Sequence, residues 1–457
     1  MMKQFGLLAG ILLCVVIFLI PIPELSQNSQ AYLALTLMTV VFWAFQAMQP
    51  GYAAGIYLVL LAVLRIATPA QIFSVWTSST VYLVIGAYLI ADAVHASGLG
   101  KRIAYAVITR YVRSYRDIIL CIFTLTFLLG FLIPHPWPRA FLIMSVVRVL
   151  VESADIPKSD AAKLGFAVFA ASVPISMILL TSDSTLAPMV VAAAGSAMGW
   201  VDWLWVMGLP ALILTIITYV LFICLFKPSQ PVNVNKEEMQ AHLKEMGKLS
   251  ALEIRTIIWL GIAILLWVTD KIHGIQIGWV TFGIAMLMGV PKIGGVLTPK
   301  VWNSVPVQVL FFLTAAIAMG QIGQITGCNQ WIADNFIPAK LPENIYLLAA
   351  VITFIGIALH MLLGSVITVI ALSVPIILTV TAPLHLNPII PALIVYTAIS
   401  GHYILPYQHL NILIGVGDEN GLFNQRETVR LGLWMLPVIF FVTTFIEITW
   451  WKCIGLL

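Results

Sequence analysis

The sequence predicts an all-α polytopic membrane protein with about 11 transmembrane helices and two re-entrant hairpins, arranged in two inverted repeats. Three observations support this fold class. First, 61% of the 457 residues are hydrophobic and 9% are charged, whereas a soluble domain carries about 25% charged residues. Second, the apolar residues form long runs and lack the alternation of a membrane β-barrel. Third, an apolar hairpin with a polar tip occurs in each half of the chain.

The first hairpin is predicted at about 117–151, where Pro134, Pro136 and Pro138 separate two apolar runs. Each run is too short to cross a bilayer, since a spanning helix needs about 20 residues. The alternating prolines remove hydrogen-bond donors and disfavour the α conformation in the residues before them. Broken backbone at membrane depth is tolerated only inside the protein or beside a watery cavity, so we predict a re-entrant hairpin. The alternative is a short extracellular loop between two spanning helices.

The second hairpin is predicted at about 344–382, with its tip at Gly364 and Ser365. The two halves also resemble each other outside the hairpins, because the stretch that begins at Trp76 has a counterpart that begins at Trp302. Inverted repeats with broken helices are typical of secondary transporters, which hold substrate and ions near the membrane midplane at the repeat interface.

Lysine and arginine accumulate in cytoplasmic loops, and most of the 23 such residues fall on one side of the membrane if the N-terminus is cytoplasmic. We therefore predict a multi-pass protein of the cell inner membrane with a cytoplasmic N-terminus. The longest polar stretch, at 227–254, is predicted to be a cytoplasmic linker. It follows N-terminal scaffold helices (1–66) and a first repeat (67–226), and it precedes a second repeat (255–457).

Polar groups inside the membrane are energetically costly, so each is a candidate functional residue. Arg139 opens the second arm of the first hairpin, where a helix N-terminus already attracts anions and a guanidinium adds positive charge. The alternative is a permanent structural ion pair between Arg139 and Asp183. His135 and His409 are either hydrogen-bond donors or proton relays, or satisfied core residues. The predicted substrate-binding residues are His135, Arg139, Gly364, Ser365, His409 and Asn411.

A second set of residues offers hard oxygen atoms that suit Na⁺, or a carboxylate that can carry a proton. The predicted cation-binding residues are Thr181, Asp183, Ser184, Thr185 and Thr368. The five cysteines are scattered, and no Cys/His pattern predicts a metal site. We therefore expect no cofactor other than Na⁺ or H⁺ as the coupling ion. The net charge of +4 gives no indication of nucleic acid binding.

The residues at 84–93 (VIGAYLIADA) and 98–105 (GLGKRIAY) form a helix-and-loop signature, and the chain closes with a segment from Leu405 to Gly417 followed by Arg430. In these features, from about residue 30 to the C-terminus, the sequence resembles the divalent anion/sodium symporter family of the ion transporter superfamily. The resemblance implies an elevator-like secondary transporter that works as a homodimer in the lipid bilayer. Its substrate would be a small organic or inorganic anion, namely a di- or tricarboxylate, a sulfate or a sulfonate. A membrane-embedded enzyme is not expected, because the sequence has no metal-ligand or nucleophile–base pattern.

The sequence departs from this family at both hairpin tips. Family members carry Ser-Asn-Thr there, whereas this chain reads Pro-His-Pro around His135 and Leu-Gly-Ser around Gly364. Of the two Pro-Pro-Asn motifs that follow the hairpins in the family, only Asn411 matches. These departures predict a weaker dependence on Na⁺, with H⁺ coupling or exchange as alternatives. A cation/proton antiporter on the same fold, with Asp183 as the exchanging carboxylate, is the second functional hypothesis.

Overall fold

The computed structural model describes residues 2–230, 237–336 and 341–457, and helices form the regular structure in these ranges. The only β feature in the described part is an isolated bridge between Val416 and Phe423, so the predicted all-α class is confirmed. The α-helices are α1 (Met2–Leu19), α2 (Gln27–Ala44), α3 (Pro50–Val63), α4 (Pro69–Ile72), α5 (Ser79–Ser97), α6 (Leu99–Tyr111), α7 (Tyr115–Gly130), α8 (Pro136–Ser153), α9 (Lys158–Ile175), α10 (Leu186–Ala193), α11 (Trp200–Leu225), α12 (Glu237–Glu245), α13 (Ala251–Val268), α14 (Asp270–His273), α15 (Ile277–Gly289), α16 (Val307–Ile325), α17 (Cys328–Phe336), α18 (Ile345–Leu363), α19 (Val366–Thr381), α20 (Ile389–Ser400), α21 (Leu410–Leu413), α22 (Gln425–Phe441) and, after a π-helix at Val442–Glu447, α23 (Ile448–Cys453).

Seven helical segments of the described chain are long and apolar enough to cross a membrane. They are α5, α11, α13, α16, α18, α19 with the turn after it, and the run from α22 to α23. The helices α1, α3, α15 and α20 are apolar but shorter. The sequence predicts about 11 spanning helices because apolar runs of any length are counted. This number stays a prediction.

Local sequence signals explain where α5 and α18 end and where α8 begins. Gly98 and Gly364 adopt left-handed conformations, with φ of 79° and 70°, and they end α5 and α18. Glycine is favoured at such helix ends because it has no Cβ. α8 begins at Pro136, whose fixed φ suits the first helical position. His135 before it is extended, as expected for a residue that precedes proline.

The order of helices recurs in the two halves of the chain. α5 to α11 and α16 to α22 each contain a long helix, a shorter helix, a pair of packed arms, a central helix and an interruption. Ser79 and Val307, at the starts of α5 and α16, are 228 residues apart. The arm α7 packs against α8, and α18 packs against α19. The first break covers residues 131–135, and the second consists of Gly364 and Ser365.

The central helices α9 and α20 lie in the core. Every residue of α20 is buried, and α9 is buried from Leu164 to its end at Ile175. After α9 the backbone is irregular through 176–185, where every residue is buried. After α20 it is irregular through 401–409, apart from a short 3-10 turn. These two interruptions lead into α10 and α21 and bring non-helical backbone to the middle of the protein.

The predicted linker at 227–254 includes residues 231–236, which lie outside the described residues. Its described part contains α12, which packs against α6 of the first half. Beside it, Arg102 of α6 forms a 2.5 Å ion pair with Glu253 at the start of α13. Arg102 also donates to backbone carbonyl groups of the turn that precedes α13. These contacts attach the end of this stretch to the first half of the chain.

Candidate functional site

A cavity of about 420 Å³ lies where the two hairpin tips and the two interruptions converge. Its volume falls within the range of small-molecule sites, which is about 300–1,000 Å³. The lining residues that these four segments supply are His135, Pro136 and Trp137; Asp183, Thr185 and Leu186; Ser365, Val366, Ile367 and Thr368; and Tyr407, Gln408, His409, Leu410 and Asn411. Four segments that are distant in sequence therefore meet at one place.

The cavity has a polar mouth and an aromatic inner wall. Lys3, Gln49 and Gln308 line it and are exposed, so it opens beside the beginnings of α1, α3 and α16. Trp43 of α2 and Phe312 of α16 also line it, and each is 4% exposed. Their ring centroids are 4.4 Å apart, which is a close aromatic contact. A ligand that enters from the mouth would meet this pair.

At the first tip, His135 has a partner at each ring nitrogen. Its Nδ1 accepts from the backbone N–H of Trp137 at 3.3 Å, and its Nε2 lies 2.8 Å from the hydroxyl oxygen of Tyr88 on α5. Since Nδ1 is an acceptor, the ring proton is on Nε2, which therefore donates to Tyr88. The hydroxyl hydrogen of Tyr88, which also lines the cavity, is then available to a ligand.

At the second tip, Ser365 is the residue that caps α19. Its Oγ accepts from the hydroxyl of Thr368 at 3.0 Å and from the backbone N–H of Thr368 at 3.5 Å. The first N–H groups of a helix have no acceptor within that helix. Val366 and Ile367, which follow Ser365 and line the cavity, therefore bring such groups to this side of it. The second tip therefore has hydrogen-bond donors of the kind that an anion accepts.

In the first interruption, Asp183 caps α10 with one carboxylate oxygen. Its Oδ1 accepts from the backbone N–H groups of Thr185 and Leu186, both at 3.0 Å. Its Oδ2 has no hydrogen-bond partner among the described residues, and Asp183 lines the cavity. A carboxylate at this position would repel an anionic ligand unless a cation or a proton neutralised it. An anion bound in this cavity would therefore need a cation or a proton beside Asp183.

In the second interruption, His409 repeats the pattern of His135. Its Nδ1 accepts from the backbone N–H of Asn411 at 3.2 Å, and its Nε2 lies 3.2 Å from the carbonyl oxygen of Ser400. The side chain of Asn411 accepts from the indole Nε1 of Trp137 at 2.9 Å. This hydrogen bond connects the first tip to the second interruption. Both histidine rings are saturated by protein partners, so neither is a free donor.

Arg139, which was predicted to bind substrate, does not line the cavity. It is fully buried, and its Nη2 donates to Ser176 Oγ at 2.9 Å while its Nη1 lies 3.4 Å from the carbonyl oxygen of Ile133. A Cβ on Gly130, the last residue of α7, would lie 3.2 Å from Nη1. The guanidinium therefore lies at the C-terminal, negative end of α7. Within the described residues, no ion pair joins Arg139 to Asp183, so the structural bridge is not present.

Three other predicted residues lie near the cavity but not in its wall. Thr181 accepts from the indole Nε1 of Trp200 at 3.0 Å and is fully buried. Ser184 is also fully buried. Gly364 ends α18, and a Cβ there would lie 2.6 Å from Cε2 of Tyr407. The remaining predicted residues, which do line the cavity, are His135, Asp183, Thr185, Ser365, Thr368, His409 and Asn411.

Several lining residues were not predicted from the sequence. Trp43 and Phe312 lie within apolar helices, where an aromatic side chain gives no signal that it faces a cavity. Tyr88 carries a hydroxyl within a buried stretch of α5, and a buried tyrosine usually has a hydrogen-bond partner. Trp137 lies between two prolines at the tip itself. The last two could have been identified from these features.

The described residues contain no group of three or more His, Cys, Asp or Glu side chains that could hold a metal ion. The oxygen atoms of the cavity wall, from Asp183, Thr185, Ser365 and Thr368, are instead of the kind that a monovalent cation accepts.

Comparison with known proteins identifies membrane proteins to which this chain is similar. A family model described as the sodium:sulfate symporter transmembrane region matches residues 2–457. A membrane protein of Cupriavidus necator is 23% identical over 99% of this chain and 93% of its own length. The sodium-dependent dicarboxylate transporter of Staphylococcus saprophyticus is 20% identical over 94% of this chain and 88% of its own length.

A solved structure also shares the fold. The YdaH transporter of Alcanivorax borkumensis aligns with a TM-score of 0.56, over 94% of this chain and 98% of its own. The sequence identity is 13%, so the likeness concerns the fold alone. The helical architecture described above is therefore one that an experimentally determined transporter also adopts.

Proposed function

Because the chain belongs to the sodium:sulfate symporter family, a family of divalent anion/sodium symporters and not of enzymes, we propose that it is a secondary active transporter of a small organic or inorganic anion. The observation that carries the proposal is the cavity at which two hairpin tips and two interruptions meet. In secondary transporters, helix N-termini that point at the midplane hold anionic groups, while irregular backbone and oxygen atoms hold the coupling ion. Di- and tricarboxylates, sulfate and sulfonates are the first candidates, since a relative is named for dicarboxylates and the family model for sulfate.

We propose that transport is coupled to Na⁺ or H⁺, or proceeds by exchange. Asp183 supports coupling because its charge disfavours an anion in the cavity unless a cation accompanies it. The proposed cation site consists of Asp183, Thr185 and Thr368, with Thr181 and Ser184 behind it. The proposed anion site lies at Ser365 and α19, with Asn411 nearby. His135, His409, Gly364 and Arg139 position the segments that carry these groups.

We propose an elevator-like movement in the inner membrane. The moving part would contain the hairpins at 117–151 and 344–382 as re-entrant elements, with α9, α10, α20 and α21, and the remaining helices would form the scaffold. The same proposal includes two repeats of inverted orientation and a homodimer. Its domain bounds are 1–66, 67–226, 227–254 and 255–457. With a cytoplasmic N-terminus, the mouth beside Lys3 would open inward, so this conformation would be the inward-facing one.

Purified protein in liposomes tests this function directly. Uptake of labelled succinate, sulfate and benzenesulfonate is measured with an inward Na⁺ gradient, with an inward H⁺ gradient and with K⁺ alone, and protein-free liposomes serve as the control. We expect accumulation of an anion above its equilibrium level with one of the cation gradients. No gradient-dependent uptake of any tested anion would contradict the proposal.

The second candidate function is cation/proton antiport on the same fold. The specific observation that favours it is that Asp183 is the one carboxylate among the described cavity residues. The same liposomes distinguish the two candidates. An antiporter moves ²²Na⁺ against a pH gradient without any anion, whereas a symporter moves ²²Na⁺ only when its anion is present.

A further inference from the structure

The two hairpin tips offer very different numbers of hydrogen-bond donors to a ligand. At the first tip, Pro136 and Pro138 have no N–H group. The backbone N–H of Trp137 donates to His135, and its indole N–H donates to Asn411. The first three residues of α8 therefore have no free N–H group to offer to an anion.

The second tip keeps its donors. Val366 and Ile367 line the cavity as the first two residues of α19, a helix of 16 residues. Their N–H groups have no acceptor within the helix, and the positive end of the helix dipole strengthens their attraction for an anion. Ser365 accepts two hydrogen bonds from Thr368, so its own hydroxyl hydrogen remains available. The donors that suit a carboxylate are thus concentrated at one end of the cavity.

An independent observation indicates that a ligand completes the cavity. Asp183 lines the cavity and is 5% exposed. Its Oδ1 accepts from two backbone N–H groups, and its Oδ2 has no hydrogen-bond partner among the described residues. Buried polar groups in proteins are normally bonded. The unpartnered oxygen suits a cation that accompanies the anion and balances its charge.

The rest of the wall does not suit a second negative charge. Among the described cavity residues, Lys3 is the only lysine or arginine, and it lies at the exposed mouth. Arg139 is enclosed behind the first tip. The inner wall consists of aromatic rings, which include Trp43 and Phe312. Tyr88 adds one hydroxyl donor, but this donor is neutral and does not balance a second negative charge.

We propose that the site binds an organic monoanion, with its single carboxylate at the beginning of α19 and an apolar, ring-sized body against Trp43, Trp137 and Phe312. The inference rests on the proposed function, since it names the substrate class of the same cavity. It separates this chain from a dicarboxylate carrier, because a second carboxylate would lie beside the first tip, where the first turn of α8 has no free N–H group and no cationic side chain lines the wall.

Binding to the purified protein tests this substrate class. A binding assay is used because the protonated, neutral form of a monocarboxylic acid crosses liposome membranes without a transporter. Labelled benzoate is measured by equilibrium dialysis at neutral pH, with saturating Na⁺. Unlabelled acetate, succinate and sulfate are then used to displace it. We expect benzoate to bind at least about tenfold more tightly than succinate or sulfate, which corresponds to about 1.4 kcal/mol. Acetate should displace benzoate only weakly, because it has the carboxylate but not the body.

Two variants test the contacts of the carboxylate and of the apolar body of the ligand separately, and each variant has a matched control. Val366→Pro removes one N–H at the first position of α19, where proline is tolerated and Ser365 is already extended. Its control is Ile345→Pro, at the first position of α18 and outside the cavity wall. Phe312→Ala removes part of the aromatic wall, and its control is the neighbouring Phe311→Ala, which lies outside this cavity.

We expect Val366→Pro to weaken both benzoate and acetate about tenfold, which is the effect of losing a charge-assisted hydrogen bond. Phe312→Ala should weaken benzoate about tenfold and leave acetate unchanged, and neither control should change binding. Tighter binding of succinate or sulfate than of benzoate would overturn the inference, while anion uptake in liposomes would still support the proposed function. Unchanged benzoate affinity in folded Val366→Pro would also overturn it, even if Phe312→Ala fails to fold.

Discussion

The indole Nε1 of Trp137 donates to the side-chain Oδ1 of Asn411 at 2.9 Å, and this bond joins the first hairpin tip to the interruption that follows α20. The two residues come from different halves of the chain. In the proposed elevator both would belong to the moving part, so their contact would persist while that part crosses the membrane. The cavity would then keep its shape as a unit.

A double-mutant cycle tests this contact. Trp137→Phe keeps the ring and removes the donor, and Asn411→Ala removes the acceptor. Each single change should lower the free energy of unfolding by about 0.5–1.5 kcal/mol. The double variant should lose little more than the larger single loss, because both changes remove the same bond. Thermal unfolding midpoints in detergent measure this, and strictly additive losses would show that the residues do not interact.

Asp183 should both cap α10 and supply the negative charge that couples transport to a cation. Two substitutions separate these roles. Asp183→Asn keeps an oxygen that can accept from Thr185 and Leu186, so the fold should be retained while cation-dependent uptake falls at least about tenfold. Asp183→Ala also removes the cap of α10 and should lower the free energy of unfolding by about 0.5–2 kcal/mol. Na⁺- or H⁺-driven uptake and thermal unfolding are measured side by side. Cation-dependent uptake at the normal rate in Asp183→Asn would contradict the coupling role.

Gly364 should tolerate no side chain. Its φ of 70° is unfavourable for other residues, and a Cβ there would lie 2.6 Å from Tyr407 Cε2. Gly364→Ala should therefore destabilise the protein by about 1–3 kcal/mol. Gly261→Ala on α13 is the control, because no atom lies within 4 Å of a Cβ at that position. A loss of thermal stability in Gly261→Ala as large as in Gly364→Ala would argue against a local cause.

Sequence reasoning located the cavity segments because polar residues in apolar runs are costly and therefore informative. His135, Asp183 and Asn411 were identified in this way, and all three line the cavity. The same reasoning could not identify Trp43 or Phe312, because an apolar helix carries aromatic rings equally well towards lipid, core or cavity. Those two assignments depend on which face of α2 and α16 turns inward, and tertiary packing decides that.

The positions of Arg139 and Thr181 show a second limit of sequence reasoning. Both are polar residues close to a break, yet both point away from the cavity and bond to protein partners. Sequence order gives the position of a residue along a helix or loop, but not the direction in which its side chain points. For Arg139 the decisive feature is Gly130, whose missing side chain leaves room for the guanidinium at the end of α7.

Arg139 should therefore stabilise the first tip without contacting the anion. Arg139→Gln loses the bond to Ser176 and leaves the end of α7 without its cation, so the free energy of unfolding should fall by about 1–3 kcal/mol. Ser176→Ala should cost about 0.5–1.5 kcal/mol and add little in the double variant. The anion affinity of the folded fraction should stay within about twofold, since Arg139 is not in the cavity wall.

The combination of Arg139→Gln with Asp183→Asn distinguishes this role from the two that the sequence allowed. A direct anion ligand would lose affinity at least about tenfold on Arg139→Gln without a loss of stability. A structural ion pair would regain stability when both charges are removed together. Because no ion pair joins the two side chains in the described structure, we expect Asp183→Asn to leave the stability loss of Arg139→Gln uncorrected. Thermal unfolding of the four proteins in one detergent decides between the three roles, and recovery of wild-type stability in the double variant would refute the positioning role.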